Sequence, residues 1–196
     1  MNIPNTITFA RILAVPFAVW LVLNDSLETA FWLFLIAAIS DGVDGFIAKR
    51  FNMVTQLGSY LDPIADKALL ISIYLSLGVE GYIPLWLVIM VVFRDLLIVS
   101  GAFFYQAITQ NLSMAPLMSS KINTVMQMAY GATALAASAF NWNIIPVLDI
   151  ASFGVALTTV VSGALYVRIW GKKASEMEND HMKSHTPHDE SSKGRL

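Results

Sequence analysis

The chain has 196 residues, 56% of them hydrophobic and only 13% charged, and its mean hydropathy is +0.62. Soluble domains carry about a quarter charged residues, so this deficit and the long apolar runs argue against a soluble globule and for one compact integral membrane domain. The absence of cysteine excludes thiol catalysis, disulfides and thiolate-bound metal, and a net charge of −2 gives no reason to expect a nucleic-acid partner.

A membrane span needs about 20 mainly apolar residues. The N-terminus, MNIPNTITFARI, has no basic n-region and meets Arg11 before its first long apolar run, so it is read as a retained juxtamembrane segment, not a cleaved signal. Spans are predicted at about 7–23, 29–49, 58–80, 83–106, 121–140 and 146–170. The connections carry turn and loop signals: Asn24-Asp25-Ser26, Phe51-Asn52-Met53, Gly78 to Gly81, Asn111 to Ser120, and Asn141-Trp142-Asn143. The fold class expected is therefore all-α, a bundle of six transmembrane helices. Residues 1–170 form the membrane domain, and residues 171–196, polar and without apolar period, form a disordered cytoplasmic tail. His181, His185 and His188 all fall in that tail and read as mobile polar residues, not a metal site. Trp20, Trp32, Trp86, Trp142 and Trp170 include several near span ends, where an interfacial aromatic belt is the default.

Charge placement tests this topology independently. With the N-terminus cytoplasmic, Arg11, Lys49, Arg50, Lys67, Arg94, Lys121, Arg168, Lys172 and Lys173 all fall at cytoplasmic ends. The opposite loops carry Asp25, Glu28 and Glu80 but no Lys or Arg, the asymmetry of the positive-inside rule. The protein is thus expected to be multi-pass, with its site opening to the cytoplasm and the inner leaflet.

Four aspartates stand out in the stretch SDGVDGFIAKRFNMVTQLGSYLDPIADK: Asp41, Asp44, Asp62 and Asp66. An acidic residue at bilayer depth costs ~2.5–3.5 kcal/mol on insertion scales. On helices, Asp41 and Asp44 are i, i+3 neighbours and Asp62 and Asp66 are i, i+4 neighbours, so each pair shares a face. Two such helices facing each other present four carboxylates to one point, which suits hard Mg²⁺ or Mn²⁺. The competing reading is structural ion pairing, with Asp44 or Asp66 bonded to Arg11, Arg50 or Lys67. Gly45 and Gly58 suit either close approach of a ligand to the backbone or helix packing.

The spacing Asp41-x-x-Asp44-Gly45-x-x-Ala48, then Gly58-x-x-x-Asp62-x-x-x-Asp66, resembles the defining pattern of the CDP-alcohol phosphotransferases. That family usually has Arg directly after the alanine. Here Lys49 stands there, followed by Arg50, and a lysine meets phosphate as a point charge, not as a bidentate fork. The resemblance implies transfer of a phosphatidyl group from CDP-diacylglycerol to an alcohol with release of CMP. It implies two Mg²⁺ or Mn²⁺ ions on Asp41, Asp44, Asp62 and Asp66, and Asp66 as base, although Asp62 and Asp66 could exchange roles on the residues alone. Family members are commonly homodimers, which is the expectation here.

The opening Ile3-Pro4-Asn5-x-x-Thr8-x-x-Arg11 looks like the start of the phosphatidylglycerophosphate synthases and of the CMP-forming cardiolipin synthases. The family places these residues by the nucleotide. Asn5, Thr8, Gly45, Ala48, Lys49, Arg50 and Gly58 are therefore implied to contact CDP-diacylglycerol. Arg94-Asp95 and Ser120-Lys121-Ile122-Asn123-Thr124 look more like cardiolipin synthase, because the other group tends to show Arg-Glu with a further Arg-Glu a few residues on, where this chain has Gly101-Ala102-Phe103-Phe104. Arg94 and Lys121 suit an anionic acceptor but do not decide between phosphatidylglycerol, the expected one, and glycerol 3-phosphate, since both carry phosphate; the plainer reading pairs Arg94 with Asp95 or Asp62. A cation transporter is the reading from another class, since intramembrane carboxylates also mark ion pathways. The one-sided gathering of the charges and the lack of paired helix breaks argue against it.

Overall fold

The computed structural model describes residues 3–50, 56–109 and 118–184, with side chains for 8–40, 64–101 and 118–169. All secondary structure among the described residues is helical. The elements are α1 (Ile3–Leu23), α2 (Leu27–Arg50), α3 (Gln56–Val79), α4 (Leu85–Thr109), α5 (Met118–Ala139) and α6 (Ile145–Ser184). Six helices thus stand where six spans are predicted, α1 beginning a turn earlier. Among the described residues one segment, Ile145–Ile169 with mean hydropathy 1.8, is long and apolar enough to cross a membrane, while Thr8–Leu23 and Leu27–Ser40 are apolar but shorter.

One expectation is corrected at the C-terminus, where α6 continues through residue 184 instead of giving way to irregular chain at 171. Lack of an apolar period argues against burial, not against helix. Extending an existing helix avoids the nucleation cost, and residues 172–184 hold no Gly or Pro but include Ala174, Glu176, Met177 and Glu178, all strong helix formers. His185, His188 and the rest of 185–196 lie outside the described residues.

The three connections α1–α2, α3–α4 and α5–α6 are built alike. Asp25, Gly81 and Asn141 have φ of 54°, 80° and 52°. Each sits one position beyond the helix cap, and the next residue's N–H reaches back to a carbonyl in the last turn. Ser26 N donates to Leu21 O at 2.9 Å, Tyr82 N to Leu77 O at 2.8 Å, and Trp142 N to Ala137 O at 2.9 Å. This left-handed cap favours Gly and Asn, which explains two of the three residues. Pro84 and Pro146 stand at the starts of the following helices, where a missing N–H leaves nothing unsatisfied. Tyr82 donates its hydroxyl to Asp25 Oδ1 at 3.2 Å, joining two of the turns. Partial burial, then this hydrogen bond and the nearby charges of Asp25 and Glu80, push the Tyr82 hydroxyl above its ordinary pKa.

α1 packs chiefly on α3 and α2, α5 on α6 and α2, and α4 on α6 and α3. The shared apolar core lies beneath the three turns: Ala18, Leu21 and Val22 of α1, Leu27 and Phe34 of α2, Ile73, Tyr74 and Leu77 of α3, Leu87 and Val91 of α4, Leu135 of α5 and Val155 of α6. At Gly78 the α3–α4 approach is so close that a Cβ would come within 2.7 Å of Val88 Cγ2. The outward faces are apolar as well. α1 buries Thr8 and Arg11 while exposing Phe9, Leu13, Phe17 and Trp20, and α6 exposes Ile150, Phe153, Leu157 and Val160.

Candidate functional site

Towards the other end of the bundle the buried stripe of each helix turns polar. On α4 the apolar positions Leu87, Val88 and Val91 are followed in the same register by Arg94 and Asp95. On α5 the stripe Asn123, Gln127, Tyr130, Gly131, Ala134 and Leu135 begins with two amides, and α6 contributes Thr159 and Ser162. Asn123 Oδ1 accepts from Thr158 Oγ1 at 2.9 Å and from Thr159 Oγ1 at 3.0 Å. Tyr74 donates its hydroxyl to the Gln127 carbonyl at 2.9 Å. Side-chain bonds of this kind tie α3, α5 and α6 together.

The charges interlock in the same region. Asp95, whose side chain is fully buried, accepts from Lys67 Nζ on Oδ2 at 2.8 Å and from Arg94 Nη1 on Oδ1 at 2.7 Å. Arg94 also donates through Nη2 to Ser120 Oγ at 2.9 Å and to Ser162 Oγ. Lys67 has a second contact to Thr124 Oγ1 at 3.4 Å. Removing a carboxylate from water costs several kcal/mol, and a cation on each oxygen offsets it. The pairing of Arg94 with Asp95 that the sequence left open is therefore realised. Arg94 stands behind the wall of the site, only 4% exposed.

In front of that wall is a cleft of about 410 Å³ lined by Asp66, Lys67, Leu70, Ser120, Lys121, Thr124, Val125 and Met128. Asp66 is part-exposed there and ion-paired with the buried Arg11 of α1. Lys121 opens α5 on the cleft and is solvent-exposed. Among the described residues the cleft thus brings one carboxylate and two lysines together with the hydroxyls of Ser120 and Thr124 and the apolar Leu70, Val125 and Met128. Lys67 belongs to this site although the aspartate spacing does not single it out. The signal in the sequence is a lysine directly after the last motif aspartate, inside an otherwise apolar helix.

Arg11 also borders a smaller groove of about 170 Å³ between α1 and α2, with Ala10, Ala14, Leu33, Ile36, Ala37 and Ser40. Ser40 directly precedes Asp41 in the chain. Arg11 is thus ion-paired with Asp66 of α3 and shares the α1–α2 groove with Ser40, one residue before Asp41. Asp41, Asp44, Gly45, Ala48, Lys49 and Arg50 lie on α2, Gly58 and Asp62 on α3, and Asn5 on α1, but their side chains are outside the described residues. Thr8 is buried on α1, three positions before Arg11. No group of three or more metal-ligating side chains occurs among the described residues.

A family model described as CDP-alcohol phosphatidyltransferase matches residues 1–166. The chain belongs to the CDP-alcohol phosphatidyltransferase family. It is 32% identical to a CMP-forming cardiolipin synthase of Rattus norvegicus over 192 residues, which cover 90% of this chain and 63% of the relative. The corresponding protein of Homo sapiens is 31% identical, covering 91% and 64%. A CDP-diacylglycerol–glycerol-3-phosphate 3-phosphatidyltransferase of Bacillus subtilis is 34% identical over 181 residues, 84% of this chain and 93% of the relative. The chain thus spans less than two thirds of the mammalian relatives' length and nearly all of this bacterial one. Of the four aspartates singled out in the sequence, Asp66 is the one whose side chain is described, and it lines the cleft.

Proposed function

We propose that this protein transfers a phosphatidyl group from CDP-diacylglycerol to phosphatidylglycerol, giving cardiolipin and CMP. The observation that carries the reading is the cleft itself: a carboxylate, Asp66, flanked by Lys67 and Lys121 and walled by Leu70, Val125 and Met128. A phosphodiester acceptor with acyl chains of its own needs all three properties: a base, cations and an apolar side. The similarity to CMP-forming cardiolipin synthases supports the same choice.

In this reading the terminal hydroxyl of phosphatidylglycerol lies against Asp66, which takes its proton, a role worth about 10²–10⁴-fold in rate. The hydroxyl oxygen bonds to the phosphorus that carries diacylglycerol, the bond from that phosphorus to CMP breaks, and CMP leaves. Lys67 and Lys121 hold the acceptor's phosphate and so fix the hydroxyl's approach. Arg11, through its ion pair, sets the orientation of the Asp66 carboxylate. The donor's nucleotide and pyrophosphate are assigned to Asn5, Thr8, Gly45, Ala48, Lys49, Arg50 and Gly58. The all-carboxylate set Asp41, Asp44, Asp62 and Asp66 suits two hard divalent ions, Mg²⁺ or Mn²⁺, and Arg11, the partner of Asp66, borders the groove whose α2 side ends at Ser40. Those ions, when bound, supply neutralisation of the pyrophosphate.

The lipid substrates call for a bundle embedded in the bilayer, with all six helices crossing it and the site on the cytoplasmic side. The exposed apolar faces of α1 and α6, each backed by buried polar residues, support this, as does the confinement of Lys and Arg to one set of helix ends.

A second reading, glycerol 3-phosphate as acceptor, is favoured by one observation, the match over nearly the full length of the Bacillus subtilis relative. The test is to give purified protein CDP-diacylglycerol with phosphatidylglycerol alone or with glycerol 3-phosphate alone and to identify the lipid product by mass spectrometry. Cardiolipin from the first mixture is expected. Phosphatidylglycerophosphate from the second, with no cardiolipin from the first, would overturn the choice of acceptor.

A further inference from the structure

A buried aspartate in the middle of an apolar helix costs stability, and neither the family pattern nor the proposed chemistry uses Asp95. Its surroundings show what it does. Its carboxylate is a bridge between a residue that faces the cleft and a residue that does not. Arg94, on Oδ1, is fixed by Ser120 and Ser162. Lys67, on Oδ2, keeps 23% of its side chain exposed and lines the cleft beside Asp66 and Lys121. An ammonium has three N–H donors. Asp95 and Thr124 account for two, and no other partner for Lys67 occurs among the described residues. Among the described residues, one carboxylate between these two cations also leaves the trio with one net positive charge. Since Arg94 is enclosed, Lys67 is where that charge meets the cleft.

We infer that Asp95 is a positioning residue that holds Lys67 at the cleft wall, where the third N–H of the Lys67 ammonium binds the phosphate of the acceptor. The inference rests on assigning this cleft to the acceptor. Physically, the lysine stem carries about 2 kcal/mol of rotamer entropy, and a buried, doubly bonded carboxylate removes that freedom before the acceptor arrives. Arg94, fixed in turn by two hydroxyls, keeps Asp95 from following Lys67 into the cleft.

The test is steady-state kinetics with each substrate varied in turn, using whichever of phosphatidylglycerol and glycerol 3-phosphate the wild type turns over. Lys67→Met keeps the Arg94–Asp95 pair and should raise the acceptor KM by about tenfold or more, with the CDP-diacylglycerol KM little changed. Lys67→Arg keeps a cation and should recover most of that loss. Asp95→Asn should raise the acceptor KM in the same direction, and in a Lys67→Met background it should add nothing further, because Asp95 acts through Lys67. An unchanged acceptor KM in Lys67→Met, or equal rises in both substrates' KM, would overturn the inference while the functional reading stands. So would an Asp95→Asn effect of the same factor with and without Lys67. If Asp95→Asn fails to fold, Asp95→Glu, which keeps the charge but moves it by one methylene, takes its place: it should raise the acceptor KM with Lys67 present and not in the Lys67→Met background, and an unchanged acceptor KM would overturn the inference. No turnover with either acceptor would defeat the functional reading and this inference with it.

Discussion

The two ends of the bundle differ although the same helices build them. At the turn end, three left-handed caps at Asp25, Gly81 and Asn141 close the connections, and the core beneath them is mainly Leu, Val, Ile and Ala with Phe34 and Tyr74. At the charged end, the stripes continue in register as Arg94-Asp95, Asn123 with Gln127, and Thr159 with Ser162. In the bilayer placement proposed above, apolar packing alone holds a helix in the bundle only weakly, because lipid is as apolar as leucine. Polar side chains have much more to lose outside. The turn end therefore depends on close fit, as at Gly78 against Val88, and the charged end on ion pairs and hydrogen bonds that fix the walls of a cleft.

This contrast can be broken most severely at the charged end by removing metal. With Asp41, Asp44, Asp62 and Asp66 as the proposed metal ligands, the site should be unable to organise a pyrophosphate without divalent ions. Chelation should abolish CMP release and Mg²⁺ or Mn²⁺ should restore it, whereas full activity in chelator would remove the metals from the account.

Next in size is Arg94→Ala, which takes one cation from a buried carboxylate. Breaking a buried pair costs about 3–5 kcal/mol, so thermal unfolding in detergent should show a large loss of stability. Lys121→Ala, at an exposed lysine on the cleft, should leave stability within about 0.5 kcal/mol and raise the acceptor KM. A stable Arg94→Ala protein with a selectively weakened acceptor would move Arg94 from the wall into the site.

At the turn end the expected effects are smaller and concern stability only. Gly78→Ala places a methyl group 2.7 Å from Val88 Cγ2 and should cost about 1–3 kcal/mol by overpacking, recovered in part by adding Val88→Ala. Tyr82→Phe, which removes an exposed hydrogen bond to Asp25, should change stability by no more than about 0.5 kcal/mol. Neither should alter either substrate's KM, and a kinetic effect from either would show that the two ends are not separable.

The helices were legible in the sequence because apolar runs of about twenty residues alternate with strong turn residues, and the caps at Asp25, Gly81 and Asn141 fall where those signals lie. The aspartate pattern gave the family because its spacing is too specific to arise from packing. What the sequence left open was decided by side-chain direction. Arg94, an arginine in an apolar run, fits a binding site or a buried pair equally well until its neighbours Asp95, Ser120 and Ser162 are known. Lys67 was hidden for the opposite reason: its partner Asp95 lies on another helix, 28 positions away. The extension of α6 to Ser184 was missed because polarity says whether a helix is buried, not whether it continues.

The central claim is that the chemistry is done at Asp66, and Asp66→Asn tests it most directly because it keeps the shape and removes the base. CMP release from CDP-diacylglycerol in the presence of acceptor and Mg²⁺ should fall by at least about 10²-fold, while CDP-diacylglycerol binding is retained. Normal CMP release from Asp66→Asn, with the loss appearing in Asp62→Asn instead, would contradict the claim.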